Sequence, residues 1–202
     1  MNSLTTNPVK TYIQELLQEQ LQNFELVEGG QQRTVGDLIE HKVLDILNSS
    51  TSQLISEKKK ARSKKSIEDI TLISNGVTYY IDPKTHNKES DFSMPNLTAI
   101  TKLKKLFSKE KKELIYVFVG YTIENKTVIV ENINVCFVWE LDISMLGVGA
   151  LGKGQLQIKD AHDTLVLTNK GKDEWFKDFK VLVQQYLKKQ IIKINKQILE
   201  WN

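Results

Sequence analysis

The sequence has one cysteine, Cys136. A lone thiol forms no intrachain disulfide, and there is no Cys/His cluster to hold zinc, so a reducing cytoplasm is the expected compartment. Neither sign of charge is in real excess. Lys and Arg number 28 against 25 Asp and Glu, and a net +3 hardly argues for a nucleic-acid partner on its own. The longest apolar stretch, 114–123, is too short to span a bilayer, and the start MNSLTTNPVKTYIQELL lacks a basic-then-apolar signal pattern. Neither secretion nor membrane insertion is therefore expected. There is no internal repeat, and low complexity is confined to 58–65, KKKARSKK, with six basic residues and no acid. Such a run is usually a solvated loop. Beside a metal site it has a second reading, as a track for phosphates.

What is present fits one domain: 202 residues at 40% hydrophobic support a single full core, and the alternation of strand and helix patterns reads as α/β or α+β. Val9, Tyr12, Ile13, Leu16, Leu17 and Leu21 predict an amphipathic helix over 8–24. A second is predicted over 35–48, opened by a Thr34/Asp37 capping box. A third starts near Ser93 and Pro95 and carries Leu97, Ile100, Leu103, Leu106 and Phe107. The run 114–121 reads as a strand buried on both faces, 127–141 as another long strand or pair, and the glycine-rich 145–154 as irregular. Short strands are predicted at 155–159 and 164–167, and a long amphipathic helix at 172–199. Its apolar surplus beyond core need predicts dimerisation. Within the single domain, 1–33 is the N-terminal helix region, 34–142 the core, 143–171 a loop region and 172–202 the C-terminal helix.

The densest chemistry surrounds Asn75-Gly76, the strongest short signal for a two-residue hairpin. That turn sets Ser74 against Val77, Ile73 against Thr78, Leu72 against Tyr79, Thr71 against Tyr80, Ile70 against Ile81 and Asp69 against Asp82. Opposed residues have Cβ atoms about 4.5–5.5 Å apart, where like charges destabilise. A hard divalent cation is the economical compensation, because Mg²⁺ binds through one or two carboxylates and keeps its waters. Lys84 falls on the face of Asp82 unless Pro83 bulges the strand. The plain alternative is a hairpin end whose acids and lysine are only solvated. On the second helix Glu40 projects between Leu44 and Leu47, in the apolar arc, where an acid needs a partner or a ligand. Lys42 intrudes on the same arc, so an internal ion pair or a snorkelling lysine is the competing explanation.

Helical Glu40, then Asp69 in IEDI, then Asp82-Pro83-Lys84 in YYIDPKTH: in this order the chain resembles the PD-(D/E)xK nuclease superfamily, and within it small type II restriction endonucleases. The segments DFSMPNL and LGVGALGKGQLQ are similar to ones found in those enzymes, and the resemblance covers roughly residues 34–160. Two departures stand out. Glu68, not proline, precedes Asp69, and Pro83 replaces the usual core aliphatic residue. Proline keeps the carbonyl a metal would use but suits a central strand badly. Either pairing stops at this point or the site is weakened.

The resemblance implies a central mixed sheet flanked by helices, a bound Mg²⁺, and hydrolysis of double-stranded DNA at a specific sequence by a homodimer, with a cognate methyltransferase in the same system. It makes Asp69, Asp82 and the Pro83 carbonyl metal ligands, Lys84 the group that acts on the nucleophile, and Glu40 a second acid that binds directly or through water. Lys153, Gln155, Gln157 and Lys159 are candidates for groove contact, since glutamine can bond adenine and lysine guanine or phosphate. An ordinary surface loop explains them equally. Asn96 and Ser93 are candidate backbone contacts, with helix capping as the alternative, and Lys64 and Lys65 candidate phosphate contacts. His86 shares the face of Lys84 and reads first as a surface histidine. Two rival functions remain: a repair or recombination nuclease of the junction-resolvase kind, and a non-catalytic DNA-binding protein on a decayed nuclease fold.

Overall fold

The computed structural model describes residues 7–26, 32–61, 66–90, 96–149, 154–159 and 165–201. Asn7 opens α1 (Pro8–Gln20) by accepting from the Val9 and Lys10 amides at 3.0 and 3.1 Å, and Pro8 sits at a first-turn position where no amide is needed. The helix is shorter than its apolar spacing predicts. Residues Phe24–Glu25 leave it to form the short strand β1, because they pair with Val128 and Thr127. α2 (Gln32–Ser49) begins before the predicted cap, so Thr34 lies inside the helix and not at its head.

β2 (Glu57–Lys60) corrects the expectation of a solvated lysine loop for this part of the basic run. It is an edge strand on β3 (Ile70–Ser74), and lysines on an edge discourage further strand addition. Lys58 turns back to donate to the Leu47 carbonyl at 2.6 Å and the Ser50 hydroxyl at 3.0 Å. β3 and β4 (Val77–Asn87) keep the predicted register from Ser74↔Val77 to Ile70↔Ile81. Asn75 and Gly76 at the turn have φ of 49° and 72°, both left-handed, as such a tight hairpin requires.

The predicted third helix is divided. Asn96–Ala99 form strand β5, and only Ile100–Phe107 form α3, because Asn96 and Ala99 pair with Gln157 and Gln155. β6 (Lys112–Glu124) is buried on both faces as expected, and β7 (Thr127–Phe137) returns antiparallel to it before two 3₁₀ turns. Within the stretch predicted as irregular, Leu146–Gly149 form β8 against β9 (Gln155–Ile158). Gly147 and Gly149 make this possible, since Lys159 and Gln157 lie where their side chains would stand. Leu167 makes only an isolated bridge to Leu141. α4 (Lys172–Glu200) closes the chain.

The main sheet runs β1-β7-β6-β4-β3-β2, with β4 and β6 parallel and the other pairs antiparallel. Alternation along β6 divides the core. Ile115, Val117 and Val119 meet Val9, Ile13 and Leu17 of α1 and Ile39 and Val43 of α2, while Leu114, Tyr116 and Phe118 meet α3, Trp175 and Phe179 of α4 and the small sheet β5-β9-β8. A mixed sheet flanked by helices was expected from the sequence; the second sheet was not.

Candidate active site

β3 and β4 separate at the predicted metal site. Their ladder ends at Ile70↔Ile81, and the Asp69 amide donates to the Ile81 carbonyl at 3.0 Å, so Asp69 does not stand directly across from Asp82. β4 continues in parallel register with β6 through Asp82↔Tyr116, Pro83↔Val117 and Lys84↔Phe118. The Ile81 carbonyl points toward β3, and strand alternation aims the backbone polar groups of Pro83 the same way. β3 has ended there, so the amide hydrogen that proline lacks has no ladder bond to lose. The tension over a proline in a central strand is resolved by where its neighbour stops.

The Pro83 carbonyl is left facing the gap. Lys84 Nζ donates to it at 3.0 Å and to Asp82 Oδ1 at 2.5 Å, which places Asp82 and Lys84 on one face as the alternation requires. Asp82 is buried, at 8% exposure, and Asp69 is exposed. Burial pushes the Asp82 carboxyl up to about 6, against the pull of Lys84 and with help from Asp69.

Glu40 arrives from α2 because that helix lies close on β4. One turn earlier, Gly36 faces Thr85, and a β-carbon added there would stand 2.7 Å from Thr85 Oγ1. Thr85 is β-branched and stiff, so the contact does not relax by simple rotation. Gly36→Ala should therefore lift α2 from β4, lowering stability by about 1–3 kcal/mol. Adding Thr85→Ala should restore most of the loss in a thermal double-mutant cycle; full additivity of the two changes would show that the helix does not depend on this contact.

Glu40 is pushed up to about 7, first by burial and then by Asp82, Asp69 and Asp37, with Lys84 opposing. Of the two alternatives, no ion pair of Lys42 is formed among the described residues; Lys42 is half-buried with its ammonium 4.4 Å from the centre of the Phe24 ring, as a snorkelling lysine would be. Both site carboxyls thus titrate above the unfolded values of 4.5 for Glu40 and 3.8 for Asp82. Their protonated forms favour the fold, so this contribution is complete below the unfolded values and disappears as pH rises through about 6 and about 7. In chelator, the melting temperature of the Asp82→Asn, Glu40→Gln variant minus that of wild type should increase from pH 5 to pH 8. A difference that stays flat with pH would contradict the assigned shifts.

Glu40, Asp69, Asp82 and Lys84 line one open pocket of about 470 Å³. Asn96 and Gln155 stand on its wall with Thr98, from the small sheet. Gln155 donates to the Leu97 carbonyl at 2.7 Å, and Gln157 donates to Asn96. Lys159 bonds the Ser144 carbonyl at 2.7 Å and is not on the wall, nor is His86. Lys64, Lys65, Ser93 and Lys153 lie outside the described residues.

Two further parts went unnoticed in the sequence. Lys102 on α3 joins the wall and donates to the Ser66 carbonyl at 2.7 Å. Tyr116, beside Asp82 in register and fully buried, donates to Thr98 Oγ1 at 2.9 Å and accepts from the Thr98 amide at 3.1 Å, tying the small sheet to β6, the neighbour of the acidic strand. The only hint was a hydroxyl within an otherwise apolar run.

Among the described residues, no three His, Cys, Asp or Glu side chains converge as a ready-made metal cage. Mg²⁺ does not need one, because one or two carboxylates, a carbonyl and retained waters match its usual protein ligation. Asp82, the Pro83 carbonyl and the nearby Asp69 are donors of that hard oxygen type.

The central mixed sheet flanked by helices is similar to a restriction-endonuclease fold. Among solved structures the chain is similar to the NlaIV restriction endonuclease, at a TM-score of 0.56 and 12% identity over 87% of this chain and 78% of that one. No family model and no curated protein matches the sequence. No helix among the described residues is long and apolar enough to cross a membrane.

Proposed function

We propose that the protein is a Mg²⁺-dependent endodeoxyribonuclease of the PD-(D/E)xK type, cutting double-stranded DNA at a specific sequence as a type II restriction enzyme. The observation that carries this reading is the meeting of Glu40, Asp69, Asp82 and Lys84 in one pocket where β3 leaves β4, with the Pro83 carbonyl beside them, outside the β3–β4 ladder and bonded to Lys84. Asp82, the Pro83 carbonyl and Asp69 would hold the ion, with Glu40 reaching it through water, and when bound it supplies Lewis acidity and charge neutralisation at the phosphate. Lys84 then orients the attacking water and offsets charge gathering on the phosphoryl oxygens. Glu40, which lines the same pocket, is placed to take the proton that water gives up. Attack forms a new P–O bond, the bond to the leaving sugar oxygen breaks, and that oxygen takes up a proton from solvent.

Gln155 and Gln157 on the small sheet are the proposed groove readers, joined by Lys153 and Lys159, with Asn96, Ser93, Lys64, Lys65 and Lys102 as backbone contacts. The decayed-fold alternative leaned on Pro83, and the end of the β3 ladder beside it supports a proline tolerated without loss of a ladder bond. Digestion of a sequenced plasmid with Mg²⁺ should give discrete bands with mapped, recurring ends, and chelator should abolish them. Salt-sensitive binding without cleavage would sink the nuclease reading; nicking that follows DNA shape would move it to repair or recombination. A methyltransferase protecting the same sequence completes the system.

Cutting both strands in one encounter calls for two sites. α4 buries Trp175 and Phe179 against the body, whereas Leu187, Ile191, Ile194, Ile198 and Trp201 recur at four-three spacing and are 48–92% exposed. That is the spacing of a helix seam, which a second copy would cover. Sedimentation should give about twice the 23.2 kDa chain mass. A strict monomer with DNA bound would favour a nickase.

A further inference from the structure

Lys84 does not simply stand near the proposed metal ligands; it is bonded to two of them. Its ammonium donates to Asp82 Oδ1 at 2.5 Å and to the Pro83 carbonyl oxygen at 3.0 Å. Both oxygens are brought to one point by the strand: Asp82 shares a face with Lys84, and the Pro83 carbonyl is open because β3 has ended. The contact is sheltered, with the Lys84 and Asp82 side chains 17% and 11% exposed. Mg²⁺ takes its oxygen ligands at about 2.0–2.1 Å. An ion on these two oxygens would press against the ammonium, and two cations do not share one small oxygen cradle.

We infer that divalent metal binding is an exchange, in which the ion takes the Asp82 and Pro83 oxygens only as Lys84 swings off them into the pocket. This rests on the nuclease reading above. Glu40 is the acid to which the released ammonium can turn, since it lines the same pocket and already feels the lysine charge. Two consequences follow. The lysine keeps a buried carboxylate paired when no metal is bound, and it is delivered to the reacting side of the pocket only when the metal is in place. Metal affinity is correspondingly weakened by the competing cation.

The experiment uses the wild-type chain without DNA, so cleavage is not its readout. Lysine acylation followed by peptide mass spectrometry should show Lys84 labelling at least several-fold faster with saturating Mg²⁺ than in chelator. Lys88, bonded to Glu131 at 2.7 Å, serves as the internal reference and should not change. Calorimetric titration with Mn²⁺ should show Lys84→Met, which keeps the apolar stem, binding about tenfold more tightly than wild type. If Mn²⁺ binds wild type but Lys84 labelling is unmoved by Mg²⁺ and Lys84→Met gains no affinity, the exchange is wrong and the nuclease reading stands. If neither protein binds a divalent ion, the nuclease reading fails and the exchange with it.

Discussion

Lys84→Ala is expected to lower Mg²⁺-dependent DNA cleavage by roughly 10²–10³-fold, the range seen when one preorganised charge-stabilising donor is removed from an active site. DNA affinity should change little, because the Lys84 side chain is only 17% exposed and in the proposed mechanism acts at the reacting phosphate, not along a backbone track. The informative comparison is single-turnover cleavage with enzyme in excess beside equilibrium binding at one salt concentration. Equal losses in both would make Lys84 a docking residue, and unchanged cleavage would remove it from the chemistry.

Asp82→Ala should abolish cleavage at least as completely, since it removes the buried carboxylate around which the site is arranged. Its effect on the fold is less simple than a like-charge pair in the sequence suggests. Asp82 is not left to face Asp69 unopposed, because Lys84 is bonded to it at 2.5 Å. Its carboxyl nevertheless titrates at about 6, so burial outweighs that pairing and the ionised form is a net strain on the fold. Asp82→Ala should therefore be about as stable as wild type at pH 8 in chelator, and less stable at pH 5, where wild type holds the proton. Mn²⁺ titration should show the variant losing metal binding. A variant that cleaves at wild-type rate would move the centre of the reaction elsewhere and favour a binding function for this pocket.

The hairpin was legible because its determinants are local: Asn75 and Gly76 take the left-handed turn, and alternation does the rest. Glu40 was legible as an acid that does not suit the apolar arc of its helix. Its supposed partner Lys42 was not placeable, because the Phe24 ring it covers belongs to an edge strand fixed by pairing with β7. The meaning of Pro83 was hidden for a related reason. Whether a missing amide matters depends on which neighbour it would have faced, and hence on where β3 ends. The small sheet was the largest omission. Leu97 fits a helical spacing as well as a strand, and only pairing with a segment far along the chain decides between them. Glycines that looked like irregularity are spaces for the side chains of Gln157 and Lys159.

The one parallel pairing in the main sheet also divides the site between two hairpins. The β3–β4 and β6–β7 hairpins each close through a short turn, whereas joining β4 to β6 must bring Thr78 to Lys112 across β5 and α3. Asp82 and Lys84 travel with the first hairpin, but Tyr116, which links them to the small sheet, travels with the second. The pocket therefore has no complete wall unless the two hairpins are docked. On the function proposed above, a chain whose two hairpins had not joined would carry its acids and lysine without a complete site.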